Sequence, residues 1–202
     1  MFMDSSTGGF LLPLNTISAP VEGQELNRFI QPALVSLTGL ANNFVIPGNQ
    51  SEPPNVPDAG DAWMTFYYER ITADKFPYIV HLLDSNNNGY DQLQRHEMFA
   101  VNCDFFDLGT NGLAAYYTTL LRDNLAISQN KEFLLPQNFN LMGIGGISVI
   151  PVIFKTRWQY RERFVFYIKR NVVRNYAIQN IESAQFIFKV GNLTFTEVVK
   201  LG

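Results

Sequence analysis

The segment RWQYRERFVFYIKRNVVRNY, residues 157–176, decides the fold class, because its side chains alternate in character. In a β-strand, successive side chains point to opposite faces of the sheet, so residues two apart share a face. One face is mainly apolar and carries Trp158, Tyr160, Glu162, Phe164, Phe166 and Ile168. The other face is polar and carries Arg157, Gln159, Arg161, Arg163 and Lys169. The segment therefore predicts a long strand that covers a core with one face.

Two helices are expected before this strand, because apolar side chains recur there at helical spacing. The first spans about residues 23–41, and Pro32 is expected to start or kink it. The second runs from a cap at Thr110 to about Ser128. Its apolar stripe consists of Leu113, Tyr116, Tyr117, Leu120 and Leu121.

The remaining segments indicate an antiparallel sheet. Residues 62–71 are aromatic and β-branched, and the end of the chain offers a further strand and a short hairpin. The order of helix, three strands, helix and two or more strands predicts an α+β fold, a mainly antiparallel sheet with helices packed on one face. Residues 1–22 lack sustained periodicity, so we expect an extended N-terminal arm followed by a single domain of residues 23–202.

The segment DSNNNGYDQLQRHE, residues 84–97, begins like a calcium loop. An EF-hand loop requires oxygen ligands at positions 1, 3 and 5, Gly at 6 and a carboxylate at 12. Position 12 is Arg95, a cation where the ion needs its strongest anion. Because the flanking residues 77–83 and 96–106 have strand character, we predict the tip of a β-hairpin instead.

Composition and charge bound the class of protein. The chain has 202 residues, 47% hydrophobic and 16% charged, enough to bury a core. It has no secretory signal and no run of about 18 apolar residues, so we expect a soluble protein made in a cytoplasm, with no membrane partner. Residues 1–154 hold 6 Lys and Arg against 15 Asp and Glu, residues 155–174 hold 7 against 1, and the remainder holds 2 against 2. This segregation predicts a charged contact surface.

The glycine-rich segment GIGG, residues 143–146, does not carry a phosphate-binding motif. A dinucleotide site needs G-x-G-x-x-G between a strand and a helix, and a P-loop needs Gly-Lys-Ser/Thr. Since strand-like residues follow it, we expect either a flexible turn or close backbone packing.

The titratable residues outside the basic segment form no catalytic pattern. A zinc site from His81, His96 and Cys103 is conceivable across paired strands, but the spacings match no known site. Asp104 and Asp107 are expected in helix-capping or turn roles. We therefore predict no catalytic residue, no metal and no cofactor, and not an enzyme. An enzyme or metal protein that uses His81, His96 and Asp84 stays open, and predicts stoichiometric metal in the purified protein.

The basic segment 155–174 is the best functional candidate. Its arginines could bind phosphates or the acidic surface of a neighbouring subunit. The alternative is that they lie on an outer face of the sheet that contacts only water. Reversal of Arg161 and Arg163 to Glu is expected to leave the monomer folded and to block assembly. The candidate subunit-interface residues are Arg157, Arg161, Arg163, Lys169 and Arg170.

The order of elements resembles the phage neck or tail terminator family. The resemblance covers about residues 24–188, and the arm of residues 1–22 lies outside it. It is carried by LTGLANNFVIPG (37–48), WMTFYYERI (63–71), RHEMFAVNCDFFD (95–107), TNGLAAYYTTLLRD (110–123) and RWQYRERF (157–164). These segments are patterned and contain no catalytic signature.

The resemblance implies a structural virion protein of a tailed phage, a tail terminator or a neighbouring collar protein at the neck. Such a protein forms a homo-oligomeric ring, a hexamer, that caps the tail tube and joins it to the head connector. Its implied partners are further copies of the chain, tail tube proteins, sheath proteins if the tail contracts, and head–tail connector proteins. Genomic DNA would pass through the ring, and assembly would take place in the host cytoplasm.

One alternative function uses the same basic segment. A nucleic-acid-binding module would use the arginines of residues 155–174 together with Tyr160 and Tyr167. It predicts binding to duplex DNA that weakens steeply with salt, whereas a ring protein should show little affinity for free duplex.

Overall fold

The structure is a computed structural model, and it describes residues 13–17, 23–48, 61–85, 89–107, 112–154, 157–178, 183–190 and 193–200. The two helices are α1 (Gln24–Thr38) and α2 (Leu113–Ala126), and short 3-10 segments span Asn42–Phe44 and Gln129–Gln137. The strands are β1 (Pro13–Ile17), β2 (Val45–Pro47), β3 (Trp63–Ala73), β4 (Tyr78–Leu83), β5 (Gly89–Asp107), β6 (Phe139–Phe154), β7 (Arg157–Ala177), β8 (Ser183–Val190) and β9 (Leu193–Lys200).

Seven strands form one sheet in the order β1-β7-β5-β3-β2, with β4 added beside β5 and β6 beside β7. The pairs β3–β5, β4–β5 and β6–β7 are antiparallel, whereas β2 runs parallel to β3. The strands β8 and β9 form a separate antiparallel pair. The predicted α+β class with a mainly antiparallel sheet is confirmed, while the three-residue strand β2 was not expected.

The core lies between the two helices and one face of the sheet. The helix α1 contributes Leu26, Ile30, Leu34 and Leu37, which recur at helical spacing. The sheet contributes alternate residues of β5 and β7, because alternation places them on a single face. These alternate residues are Phe99, Val101, Cys103, Phe105, Phe164, Phe166 and Ile168. The predicted apolar face of 157–176 is therefore the core face, although Tyr160 is 43% exposed.

The first helix is found close to its predicted bounds. It ends at Gly39, which adopts the left-handed conformation (φ 72°) and donates its N–H to the Val35 carbonyl at 2.8 Å. Pro32 lies in the helix interior and does not start the helix. The carbonyl of Pro32 accepts a hydrogen bond from the Ser36 hydroxyl at 3.0 Å.

The stripe that the second helix turns to the core overlaps the predicted one only in part, at Leu121 and at Tyr117, which packs against the core. Its buried residues are Ala114, Thr118, Leu121 and Leu125, whereas Tyr116 is 59% exposed. Small side chains at the first two positions let the helix approach its neighbours closely, and the Thr118 hydroxyl is satisfied by the Ala114 carbonyl at 2.7 Å. The residue at the N-cap is Gly112 (φ 68°), and the predicted cap, Thr110, lies outside the described residues.

Two loop predictions can be judged from strand pairing. The β4–β5 pairs run from Tyr78–Gln94 to Leu83–Gly89, so the predicted hairpin is confirmed, but its tip is shorter than expected because residues 89–97 belong to β5. The glycines of GIGG lie inside β6, at two shifts of register against β7, and do not form a turn. A Cβ at Gly145 would lie 2.8 Å from the Val165 carbonyl oxygen, so close backbone packing is the correct explanation.

The chain divides into two compact units. One contains residues 17–77 and 95–172, and includes both helices and the core; the other contains residues 1–16, 78–94 and 173–202. Within the predicted arm, the backbone of Pro13–Ile17 forms β1 next to β7, and the rest of residues 1–22 lies outside the described residues. The division into an arm and a single domain stays a prediction. Neither described helix is long and apolar enough to span a bilayer.

Candidate functional site

The polar face of β7 meets a single carboxylate of β5. Asp104 accepts a hydrogen bond from Arg161 Nη2 at 2.7 Å and two from Arg163, from Nε at 2.8 Å and from Nη2 at 3.0 Å. We call Asp104, Arg161 and Arg163 the outer cluster, because the alternation of β5 and β7 puts them on the sheet face opposite the core. Arg163 binds the carboxylate as a fork, which is the strong geometry for this pair.

The hydrogen bonds of the outer cluster keep its carboxylate and its guanidinium groups ionised. Burial alone would raise the pKa of Asp104, but hydrogen bonds from Arg163 and Arg161 and their positive charges outweigh it, so the pKa lies below its ordinary value. The hydrogen bond to Asp104 raises the pKa of Arg163, and the negative charge of Glu69 acts in the same direction. One carboxylate against two guanidinium groups leaves the hydrogen-bonded cluster with a formal charge of +1.

Aromatic rings surround the outer cluster. Trp63 and Phe106 are register partners on β3 and β5 and stack with their ring centroids 4.2 Å apart. The Arg161 guanidinium lies 5.5 Å from the centre of the Phe106 ring, and that of Arg163 lies 5.8 Å from the centre of the Tyr67 ring. Each arginine is therefore fixed by a carboxylate and by a ring. The buried Nε1 of Trp63 and Nε of Arg161 have no hydrogen-bond partner among the described residues.

A second carboxylate, on the core face, gathers three further arginines. Glu97 accepts hydrogen bonds from Arg95 Nη2 at 2.6 Å and from Arg170 Nε at 2.8 Å, and Arg70 Nη2 lies 3.8 Å from its Oε1. We call Glu97, Arg70, Arg95 and Arg170 the inner cluster. The side chain of Glu97 is 1% exposed and that of Arg170 is 8% exposed.

The inner cluster is enclosed by core aromatics. The Arg170 guanidinium lies 4.9 Å from the centre of the Phe99 ring and 5.9 Å from that of Phe139, so its faces are covered by rings. Burial acts to raise the pKa of Glu97, but the hydrogen bond and the charge of Arg170, with the charges of Arg70 and Arg95, lower it below its ordinary value. Glu97 is therefore ionised and compensates the buried charge of Arg170, while Arg95 and Arg70 reach it from more exposed positions.

The structure separates the five candidate interface residues. Arg161 and Arg163 come together at Asp104, with 23% and 31% of their side chains exposed. Lys169 shares their face by alternation and is half-buried, whereas Arg170 belongs to the opposite face and the inner cluster. The backbone of Arg157 pairs with Phe154, and its side chain lies outside the described residues. A subunit-interface role for the five residues stays a prediction.

The contacts with Asp104 revise the expected effect of charge reversal. Replacement of Arg161 and Arg163 by Glu would place two new carboxylates beside a buried one that had lost both of its donors. Like charges at this distance repel, and a buried charge without a partner is strongly destabilising. The double reversal is therefore expected to unfold the chain, so it would not isolate an effect on assembly.

The histidines and the cysteine occupy separate environments. His96 Nδ1 lies 3.1 Å from Asp74 Oδ2, and this oxygen also accepts the His96 backbone N–H at 2.8 Å. His81 is paired with Asp91. Cys103 is fully buried in the core, and burial raises the pKa of its thiol. The described residues contain no group of three or more His, Cys, Asp or Glu side chains placed to hold a metal ion.

The sequence analysis missed the two carboxylates that organise the site. Asp107 does cap a helix, since it accepts the Leu113 N–H at 3.0 Å, but Asp104 lies within β5 and binds arginines instead. Both Asp104 and Glu97 interrupt buried strand segments, and a charge at such a position requires a partner. That rule could have identified them as paired acids, although not their partners on β7.

Comparison with known proteins assigns the chain to a family. A family model described as phage neck terminator protein matches residues 24–192, which agrees with the predicted resemblance over about residues 24–188. No match among curated proteins is found. The family match gives the chain a structural role in the phage neck, as a component of the virion that associates with other phage tail or head proteins. The chain belongs to the phage neck terminator protein family.

Proposed function

We propose that the chain forms a homo-oligomeric ring, a hexamer, at the head-proximal end of the phage tail. The ring caps the tail tube, together with the sheath in a contractile tail, and joins the tail to the head connector. Genomic DNA passes through the centre of the ring. The observation that carries this proposal is the family match over residues 24–192, which includes both helices and strands β2 to β7.

The distribution of charge supports a ring. Copies in a ring meet head to tail, so each subunit needs two different surfaces that complement each other. The outer cluster has an excess of positive charge and its two arginine side chains are partly exposed, while residues 1–154 carry a net charge of −9. An acidic surface of one copy facing the basic strand of the next would satisfy this requirement.

The candidate interface residues differ in how they could act in such a contact. Arg161 and Arg163 are held in fixed positions by Asp104, and 23% and 31% of their side chains stay exposed. Lys169 lies farther along the same strand face and acts on Asp74 only through its charge. Arg170 is buried, so it would support the interface through the strand and not by direct contact. Arg157 begins the strand.

The location is tested on phage particles. A gold-tagged antibody against this chain should label intact particles at the head–tail junction in electron micrographs. The expected pattern is one cluster of gold at each junction and none along the tail. Unlabelled particles, with antigen detected in the lysate, would remove the neck location and direct attention to duplex DNA binding.

The contribution of the basic strand is tested with a residue outside the two clusters. Lys169→Glu reverses a charge on the proposed contact face without removing a donor of Asp104 or Glu97. We expect unchanged thermal unfolding and a reduced fraction of neck-bound protein in complementation of a phage that lacks this chain. Lys75→Glu, at an exposed position of the loop after β3, is the matched control. Equal incorporation of both variants would show that the strand face is solvated surface.

A further inference from the structure

The strand β6 has an unusual surface for an edge strand. Its sequence FNLMGIGGISVIPVIF, residues 139–154, contains no charged residue, and among the described residues β6 pairs only with β7. Towards its end, Val149 is 53% exposed and Ile153 is 64% exposed. Pro151 between them is also exposed, as is Tyr160 opposite it on β7, at 43%. We call Val149, Pro151, Ile153 and Tyr160 the hairpin patch.

The hairpin patch is a continuation of the core face. Residues two apart share a face, and Ile147, which precedes the patch on that face, packs against the core and pairs with Phe164. Beyond Ile147 the same apolar row becomes exposed. Along the described part of β6, the core face therefore changes from covered to exposed apolar side chains.

The backbone edge of β6 is protected against simple strand addition. Pro151 has no N–H to offer, and two register shifts between Leu141 and Ile147 break the regular ladder. Natural edge strands use prolines and bulges in this way to avoid pairing with other chains. A partner of β6 would therefore cover the side chains of the hairpin patch and would not extend the sheet.

A second uncharged surface lies on the helical side of the same unit. It is a groove of about 630 Å³ between α1, α2 and the second 3-10 segment. We call it the helix groove, and none of its lining residues is charged: Phe29, Pro32, Ala33, Ser36, Leu37, Asn124, Gln129, Asn130 and Phe133. Its amides are already engaged in part, since Asn124 Nδ2 donates to the Leu37 carbonyl at 2.6 Å. Polar and apolar groups line the groove in similar measure, and Phe29, Ala33, Leu37 and Phe133 supply the apolar part.

We propose that the hairpin patch of one copy of this chain docks into the helix groove of the next copy. This inference rests on the proposed ring, because a ring is built from repeated contacts between two different surfaces of one chain. The hairpin patch and the helix groove are such a pair: one is an exposed apolar row and the other a concave, uncharged surface. A contact between them buries apolar groups of both copies without desolvating a charge.

A second copy fits the two surfaces better than an acidic or basic partner. A charged segment placed on either surface would be desolvated without an opposite charge among the residues of the groove or the patch, and Glu162, opposite Val149 on the same face, is already buried. Arg161 and Arg163 lie on the other face of β7, so the proposed contact is independent of the outer cluster. A ring contact with both parts would combine an apolar centre with charged residues beside it, as protein interfaces commonly do.

The test uses two variants of the full-length protein and two matched controls. The hairpin variant carries Val149→Lys and Ile153→Lys, and the groove variant carries Ser36→Trp, which fills the groove from an exposed position of α1. The control for the first is Ile71→Lys, at a 48% exposed aliphatic residue of β3 outside the patch. The control for the second is Thr119→Trp, at an exposed position of α2 outside the groove. Circular dichroism verifies that all four remain folded.

Mass is measured by light scattering over a concentration series. The wild-type chain and both controls should assemble above the monomer mass, while each variant should require at least about a tenfold higher concentration. The decisive sample is an equimolar mixture of the two variants. The groove variant still has an intact patch and the hairpin variant an intact groove, so the mixture should form a dimer of one of each and nothing larger.

Three results would overturn the proposed contact: a mixture that stays monomeric, controls that lose assembly as the variants do, or wild-type protein that is monomeric at every concentration. None of these affects the location of the chain at the neck, which the gold-labelling experiment tests separately. Conversely, a mixed dimer together with unlabelled particle necks would support the contact and reject the proposed place of the ring.

Discussion

The outer and inner clusters have the same composition, a carboxylate bound by several arginines, but they differ in exposure to solvent. In each, one carboxylate of β5 holds more guanidinium groups than it can neutralise. In the inner cluster the central arginine is 8% exposed and lies between aromatic rings, whereas the arginines of the outer cluster are 23% and 31% exposed. Glu97 and Arg170 of the inner cluster are thus shielded from water, whereas Arg95 and Arg70, at 27% and 43% exposed, keep contact with it as the outer arginines do.

Because of this difference, we expect one cluster to contribute to folding stability and the other to be able to bind another protein. A buried pair that loses one member leaves an uncompensated charge in a medium that solvates it poorly, and the free energy of unfolding falls steeply. A half-exposed arginine that loses its carboxylate can turn to solvent, or to a carboxylate on another protein. We therefore expect the inner cluster to determine whether the chain folds, and the outer cluster to be the one that can exchange partners.

The largest effect is expected from Glu97→Gln. The substitution keeps the size of the side chain but leaves Arg170 and Arg95 without their counter-charge, so it should lower the free energy of unfolding by about 3–5 kcal/mol. Urea denaturation followed by circular dichroism measures this loss. Glu69→Gln, an exposed acid of β3, is the control and should change stability by less than about 0.5 kcal/mol. A loss below about 1 kcal/mol for Glu97→Gln would mean that the two clusters do not differ as described.

A smaller effect is expected from Asp104→Asn. Three hydrogen bonds from charged donors are weakened, but Arg161 and Arg163 can regain water, so the loss should be about 1–3 kcal/mol. The same denaturation experiment gives the comparison with Glu97→Gln directly. If Asp104→Asn were the more damaging of the two, exposure of the arginines would not be what distinguishes the clusters.

Acid should weaken both clusters over the same range of pH. The pKa values of Glu97 and Asp104 lie below their ordinary values of 4.5 and 3.8. The stabilisation from such groups is complete above the unfolded-state values, and it is lost as pH falls through the folded-state values. Thermal unfolding should therefore be insensitive to these groups above about pH 5 and lose up to about 1.4 kcal/mol per pH unit per group below it. Glu97→Gln and Asp104→Asn should each flatten this decline, and curves parallel to wild type would contradict the assignment.

The smallest effects are expected when a single arginine of the outer cluster becomes lysine. Arg163 binds Asp104 with two nitrogens and Arg161 with one, and lysine keeps the charge but not the fork. Arg163→Lys should cost roughly 1 kcal/mol and Arg161→Lys less than that. Precise thermal denaturation can rank the two, and the reverse order would show that the ring contact of Arg161 with Phe106 matters more than the fork.

Local sequence patterns predicted the helices and strands well, but they predicted the contacts between side chains of different strands poorly. The alternation of 157–176 and the helical spacing of 23–41 are properties of neighbouring residues, so β7 and α1 could be predicted from them. The contact of Arg161 with Asp104 joins residues 57 positions apart and depends on the register between two strands, which no local pattern contains. The same limit explains the second helix, since only packing could select Ala114 and Thr118 over Tyr116 for its buried side.

Cys103 is the single cysteine of the chain, and it is fully buried with a thiol whose pKa is raised. Maleimides and similar reagents attack the thiolate at accessible sulfur. The native cysteine of the folded protein should therefore react with them only very slowly. A cysteine introduced at an exposed position such as Ile153 would then be labelled alone, which would permit distance measurements between copies with fluorophores or spin labels. The rate at which the native thiol is modified would also report how often the core opens.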